Sequence, residues 1–137
     1  MAIHGLAHVG VFVSDLERSK RFYRDVLGFE ITWECLVGDG SDAVRVAFAQ
    51  SGSCILELVE SPAAAGRVDG PVDHIALAVT DIEDMHAALL KKGVQFETDE
   101  VIFCDRVFPN GSKWILFRGP DREHLEFTEV LPYEIKE

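Results

Sequence analysis

One pattern occurs twice in this sequence, in the same order, and it restricts the fold more than any other feature. Ala7-His8-Val9-Gly10-Val11-Phe12-Val13-Ser14-Asp15-Leu16-Glu17 aligns with Asp73-His74-Ile75-Ala76-Leu77-Ala78-Val79-Thr80-Asp81-Ile82-Glu83, so that His8 recurs as His74, 66 positions on. Ile55-Leu56-Glu57-Leu58-Val59-Glu60 then aligns with His124-Leu125-Glu126-Phe127-Thr128-Glu129, at an offset of 69. Two matches at nearly equal spacing mark a duplicated supersecondary unit. The chain therefore reads as one domain over residues 1–137, built from modules at about 1–62 and 71–132. The intervening 61–70 stretch, rich in Ala, Gly and Pro, reads as a connector.

Each module carries the same run of elements. A strand at about 6–13, and again at 73–79, leads into Ser14-x-x-Glu17 or Thr80-x-x-Glu83, which has the form of a helix capping box. The first predicted helix carries Leu16, Phe22, Tyr23, Val26 and Leu27 and ends at Gly28; the second carries Ile82, Met85 and Leu89 and ends at Gly93. Three strands follow in each half, at about 29–36, 43–50 and 53–60, then 94–104, 112–118 and 123–130. Asp39-Gly40, Ser51-Gly52, Asn110-Gly111 and Gly119-Pro120-Asp121 supply the turns. The order βαβββ, repeated, predicts an α+β fold with helices on one face of the sheet.

That prediction decides where the polar residues point. Neighbouring side chains of a strand face opposite ways. Val9, Val11 and Val13 share one face, and His8, Gly10 and Phe12 the other; Ile75, Leu77 and Val79 lie opposite His74, Ala76 and Ala78. The aliphatic sets belong under the helices, so His8 and His74 point away from them. Glu57 sits between Leu56 and Leu58, and Glu126 between Leu125 and Phe127, which places both carboxylates on the same side as the histidines. Two imidazoles and two carboxylates suit one divalent ion such as Zn, Ni, Co, Mn or Fe, and leave positions open for water or substrate. Single residues of these types on a strand are usually ordinary surface or core groups, but independent surface residues need not recur at equivalent repeat positions. His4, His86 and His124 have no repeat partner; of these, His124 shares the Glu126 face.

Composition narrows the remaining classes. A net charge of −11, without a Lys/Arg stripe, excludes nucleic acid as the expected partner. No apolar run nears the roughly 20 residues that span a bilayer, and the first residues lack a signal-peptide pattern, so no membrane partner is expected and the cytoplasm is the expected compartment. Cys35, Cys54 and Cys104 are odd in number and without a CxxC pair, which predicts free thiols.

These residues resemble the vicinal oxygen chelate superfamily, and within it the glyoxalase I (lactoylglutathione lyase) type. The resemblance spans nearly the whole chain. It rests on His8-Val-Gly-Val-Phe-Val-Ser-Asp15-Leu with Phe22-Tyr23 and Leu27-Gly28-Phe29, on Ile55-Leu-Glu57-Leu, on Asp73-His74-Ile-Ala-Leu-Ala-Val, and on Gly119-Pro120-Asp121 with Leu125-Glu126-Phe127. It implies a curved eight-stranded mixed sheet around a metal cavity, ligands at His8, Glu57, His74 and Glu126, and a homodimer. It also implies proton transfer on a small-molecule substrate through a metal-stabilised enediolate, with Glu126 as base and Glu57 as its counterpart. Methylmalonyl-CoA epimerase is the alternative, since Ala43-Val44-Arg45-Val46-Ala47-Phe48 is similar to its third strand. An Fe(II) dioxygenase or a small-molecule-binding resistance protein of the same superfamily is the further alternative. Phe12, Trp33, Arg45 and Trp114 are the candidate substrate contacts. Two departures speak against glutathione as the thiol. Phe12 stands where many glyoxalases carry an Arg for its carboxylate, and Val59-Glu60-Ser61 stands where they often carry an Asn.

Overall fold

The computed structural model describes residues 2–134. In chain order these form β1 (Val9–Val13), α1 (Leu16–Arg21) running into a π-helical turn at Phe22–Val26, β2 (Glu30–Val37), β3 (Val44–Ser51) and β4 (Cys54–Glu60). After a 3₁₀ segment at Pro62–Gly66 come β5 (Ile75–Ala78), α2 (Ile82–Lys91), β6 (Ile102–Cys104), β7 (Ser112–Arg118) and β8 (His124–Val130). The eight expected strands are present, hydrogen-bonded as two four-stranded mixed sheets ordered β1-β4-β3-β2 and β5-β8-β7-β6. In each, the first strand of the module runs parallel to the last, and the remaining pairs are antiparallel. The described residues divide into two compact units, 2–68 with 119–122, and 69–118 with 123–134.

The period-two alternation produces each core. In the first unit Val11, Val13, Leu56, Leu58, Ala47 and Ala49 are buried with Leu16 and Tyr23 of the helical segment. In the second, Leu77, Ile115, Phe117, Leu125 and Phe127 are buried with Ile82 and Leu89. Each fully buried Leu, Ile, Val or Phe contributes about 1.5–3 kcal/mol relative to exposure, so a one-residue slip that turned these sets to solvent would be prohibitive. Gly28 and Gly93 take φ of +79° and +83°, the left-handed conformation that ends both helices where the sequence predicts. Cys35, Cys54 and Cys104 are free thiols, and burial pushes the Cys54 thiol up from its ordinary value. No helix among the described residues is long and apolar enough to cross a membrane.

The helix starts differ from the predicted capping boxes. Asp15, not Ser14, caps α1 by accepting from the Arg18 N–H, and Asp81 at the start of α2 has φ +53° with no side-chain cap. Instead the last strand of each module supplies a carboxylate. Leu16 N–H donates to Glu60 at 2.8 Å, and Ile82 N–H donates to Glu129 at 3.0 Å. Glu60 and Glu129 are repeat equivalents. Glu17 and Glu83 turn outward to a cation on the third strand of their own module: Arg45 donates to Glu17 at 2.5 Å, and Lys113 donates to Glu83 at 2.9 Å. The duplication is thus written in the polar ties of helix to sheet as well as in the core. A second correction concerns the strand predicted over 94–104. Only Ile102–Cys104 pair as β6, with an isolated bridge from Phe96 to Phe117 upstream. Glu97-Thr-Asp-Glu100 between them is poor in strand-forming side chains.

Ser14 has another task. Its N–H donates at 2.9 Å to Asp121 and its hydroxyl donates to the other oxygen of that carboxylate, which also accepts from Arg18 at 2.9 Å. Burial raises the Asp121 pKa, but the Ser14 hydrogen bonds and Arg18 outweigh it, leaving the carboxyl below its ordinary value. A carboxylate shifted down stabilises the fold above its unfolded pKa, about 3.9, and loses that contribution as pH falls through the folded value. Asp121→Asn is expected to cost about 1–3 kcal/mol at neutral pH, the usual penalty for stripping a partner from buried donors. Denaturant midpoints measured against pH should show the gap between wild type and variant closing below about pH 4; a gap that stays constant to pH 2 contradicts the assignment.

Candidate functional site

The parallel pairing of the first and last strand in each module places the expected ligands. In the first unit Gly10 lies opposite Glu57. His8, two residues earlier on the same face, brings Nε2 to 3.9 Å from Glu57 Oε2. A Cβ at Gly10 would stand 3.9 Å from Glu57 Oε1, an ordinary contact, and the equivalent Ala76 carries one opposite Glu126. The His8 ring meets Phe48 edge-on, with centroids 5.7 Å apart.

The second unit repeats this with more support. Ala76 lies opposite Glu126, and His74 Nε2 is 3.1 Å from Glu126 Oε2. The Thr128 hydroxyl donates to Glu126 Oε1, fixing the carboxylate's rotation. His74 Nδ1 is 2.9 Å from Asp73 Oδ2. His124 meets His74 edge-on at 5.8 Å; its Nδ1 is 3.3 Å from the same Asp73 oxygen, and its Nε2 is 3.2 Å from Glu97 Oε2. Both His124 nitrogens are buried and close to carboxylates, yet out of line for a hydrogen bond. One ligand atom each from Asp73, His74 and His124 lie within 4.8 Å of one another, a grouping able to hold a cation. Arg118 closes the network by donating to Glu97 and to both oxygens of Asp69, bonds that raise its pKa further and keep it charged.

The Glyoxalase/Bleomycin resistance protein/Dioxygenase superfamily model matches residues 5–127. The chain belongs to this superfamily. It is 31% identical to the uncharacterized protein YaeR of Escherichia coli (strain K12) over 127 residues, 89% of this chain and 93% of that one. It is 30% identical to the mitochondrial methylmalonyl-CoA epimerase of Mus musculus over 103 residues, which covers 69% of this chain and 57% of the epimerase. Among solved structures, a glyoxalase family protein from Enterococcus faecalis superposes with a TM-score of 0.73 at 26% identity, covering 94% of this chain and all of that one.

Within this superfamily member, three of the four expected substrate contacts share a face with a ligand candidate. Phe12 pairs with Val59 and Trp33 with Phe48, which is itself opposite Glu57; both aromatic rings lie on the Glu57 face and are exposed. Trp114 pairs with Thr128 on the Glu126 face. It lines a cavity of about 410 Å³ with Ala76, Ala78, Phe108, Glu126 and Thr128. Glu126 is the one ionisable group among the lining residues, and the rest of the wall is chiefly apolar.

Arg45 is the exception. It lies opposite Leu36 on the helix side of its sheet, donates to Glu17, and sits 3.7 Å from Glu60. The Glu17 bond raises the Arg45 pKa, with smaller help from Glu60, so this cation is committed to holding the start of α1 and faces away from Glu57. The sequence reading missed Asp73, Thr128, Glu97 and Phe108. Asp73 stands in the repeat where the first module has Ala7, and Thr128 where it has Val59, so duplication could not flag either. Phe108 sits at φ +67° on a loop whose course no periodic pattern announces.

Proposed function

We propose that the chain is a metal-dependent lyase or isomerase of the glyoxalase I kind, which moves a proton next to a carbonyl and holds one divalent ion on His8, Glu57, His74 and Glu126. The observation that carries this reading is the recurrence of a His–Glu pair at equivalent places in both modules, each on the face away from its helix. The donor set fits such an ion. Two N/O donors each about 2.1 Å from one metal and at a right angle lie about 3 Å apart, close to the 3.1 Å between His74 and Glu126 and within a small adjustment of the 3.9 Å between His8 and Glu57.

When bound, a divalent ion supplies Lewis-acid polarisation of the substrate oxygen, which acidifies the neighbouring C–H. The chain's own residues supply the proton path. Glu126, which accepts from Thr128 and stands in a chiefly apolar cavity, would take the proton, and Glu57 is the second carboxylate, which would return it. Trp114 and Phe108 provide wall against which an uncharged part of the substrate would rest. An epimerase acting on a CoA thioester is the second reading, favoured by the identity to the mouse enzyme over 69% of this chain. It needs the same two-sided proton transfer. Assay against hemithioacetals of methylglyoxal, formed with glutathione and with a thiol lacking its carboxylates, and against methylmalonyl-CoA separates the two.

Three outcomes test this reading. Metal-reconstituted protein analysed by inductively coupled plasma mass spectrometry should carry about one ion per chain, and His8→Ala or His74→Ala should remove most of it from a still-folded protein; a full complement in either variant refutes the ligand set. Glu126→Gln preserves shape but not the proton acceptor, and turnover should drop roughly 100-fold or more, with metal retained better than activity. Full turnover would transfer the role of base to Glu57. Steady-state kinetics should also show weak use of the glutathione hemithioacetal. Phe12 offers no charge to a glutathione carboxylate, Arg45 is held on the other face by Glu17, and an Arg–carboxylate bond of about 1.5–3 kcal/mol is worth roughly 10- to 150-fold in binding. A Michaelis constant in the low micromolar range would restore glutathione as the thiol.

A further inference from the structure

The two halves of the proposed centre are not equally built. Asp73 Oδ2 stands 2.9 Å from His74 Nδ1, whereas the residue before His8 is Ala7, which has no side-chain acceptor to offer. A carboxylate can only accept, and of the two that face this ring Asp73 is the nearer, at 2.9 Å against 3.1 Å for Glu126, so the single proton of a neutral ring is assigned to Nδ1. In a neutral ring the lone pair then falls to Nε2, the nitrogen that faces Glu126 at 3.1 Å. We infer that Asp73 is a positioning residue that fixes the tautomer and ring orientation of His74, making the second module the anchoring half of the centre and leaving His8 the more exchangeable ligand.

The surroundings hold Asp73 in this role. The oxygen that faces His74 is also 3.3 Å from His124 Nδ1, and His124 is backed at 3.2 Å by Glu97, which Arg118 grips. His124 is largely buried, so this flank cannot swing away freely. On the other side of the pair, Thr128 donates to Glu126, while Val59 at the equivalent place in the first module leaves Glu57 without that hydroxyl. Partners of this kind on the far nitrogen of a ligating imidazole also raise its strength as a ligand, and losing one typically weakens metal binding roughly 10- to 100-fold.

Part of this inference rests on the metal reading and part does not, and the test separates them. Nitrogen-15 NMR of the metal-free full chain, recorded near pH 8.5, about two units above the ordinary imidazole pKa, should show the His74 proton on Nδ1. In Asp73→Ala it should move to Nε2 while the His8 signals stay as in wild type. A His74 Nδ1 without its proton in wild type, or an unchanged Nδ1–H in Asp73→Ala, overturns the proposal. Titration with Zn²⁺ should then show roughly 10- to 100-fold weaker binding for Asp73→Ala, with Asp73→Asn, which keeps an acceptor oxygen, recovering part of the loss. Equal Zn²⁺ affinity in Asp73→Ala and wild type would refute the anchoring role. Absence of Zn²⁺ binding by wild type, with the tautomer shift intact, would leave Asp73 as the positioning residue and remove the metal reading alone.

Discussion

A strand that must bury Val11 and Val13 beneath a helix has no freedom in what its other face presents, and the same holds for the strand that buries Leu77. The parallel registers Gly10 with Glu57 and Ala76 with Glu126 carry that constraint to the last strand of each module, where Leu56, Leu58, Leu125 and Phe127 are buried in their turn. Hydrophobic burial therefore sets the position of four polar side chains that contribute little to the core themselves. Shifting any of these strands by one residue would lose the aliphatic face and the His–Glu pair together. Stability and the placing of these side chains are coupled through that alternation, and it explains how one supersecondary unit could be duplicated with its His–Glu pair intact.

The helices are tied to the sheets by charge. Glu60 and Glu129 accept the first helical N–H of their modules, and Arg45 and Lys113 hold the first-turn Glu17 and Glu83. A carboxylate at a helix start meets unsatisfied N–H groups and the positive end of the helix dipole. With the helix start pinned to the last strand, the aliphatic face has one place to go. Arg45 is engaged in this framework, which is why an arginine on a strand of the right module is turned away from Glu57.

Most of the fold and the placing of the His–Glu pairs could be read from the chain because both rest on local rules. Alternation needs only neighbouring residues, and Gly28 and Gly93 end their helices through a backbone conformation that favours glycine. What escaped the reading depends on residues far apart in sequence. Ser14 fits a local capping pattern but is drawn to Asp121, more than 100 residues on, and Asp15 takes the cap. Arg45 is ambiguous until the sheet decides which side it occupies. Asp73 and Thr128 escape for a different reason: they are where the two modules have diverged, so a method that looks for recurrence passes over them.

That divergence gives the proposed centre a direction, with His74 and Glu126 each held by a neighbour and His8 and Glu57 held less. Whether the two halves serve one ion is the claim on which the functional account stands. X-ray absorption of the Co²⁺- or Zn²⁺-loaded protein reads this directly, because imidazole rings give distinctive outer-shell scattering. The account predicts a shell of N and O donors at about 2.0–2.2 Å that includes two imidazoles and no sulfur. A shell with a single imidazole, or with sulfur from one of the three cysteines at about 2.3 Å, would contradict it.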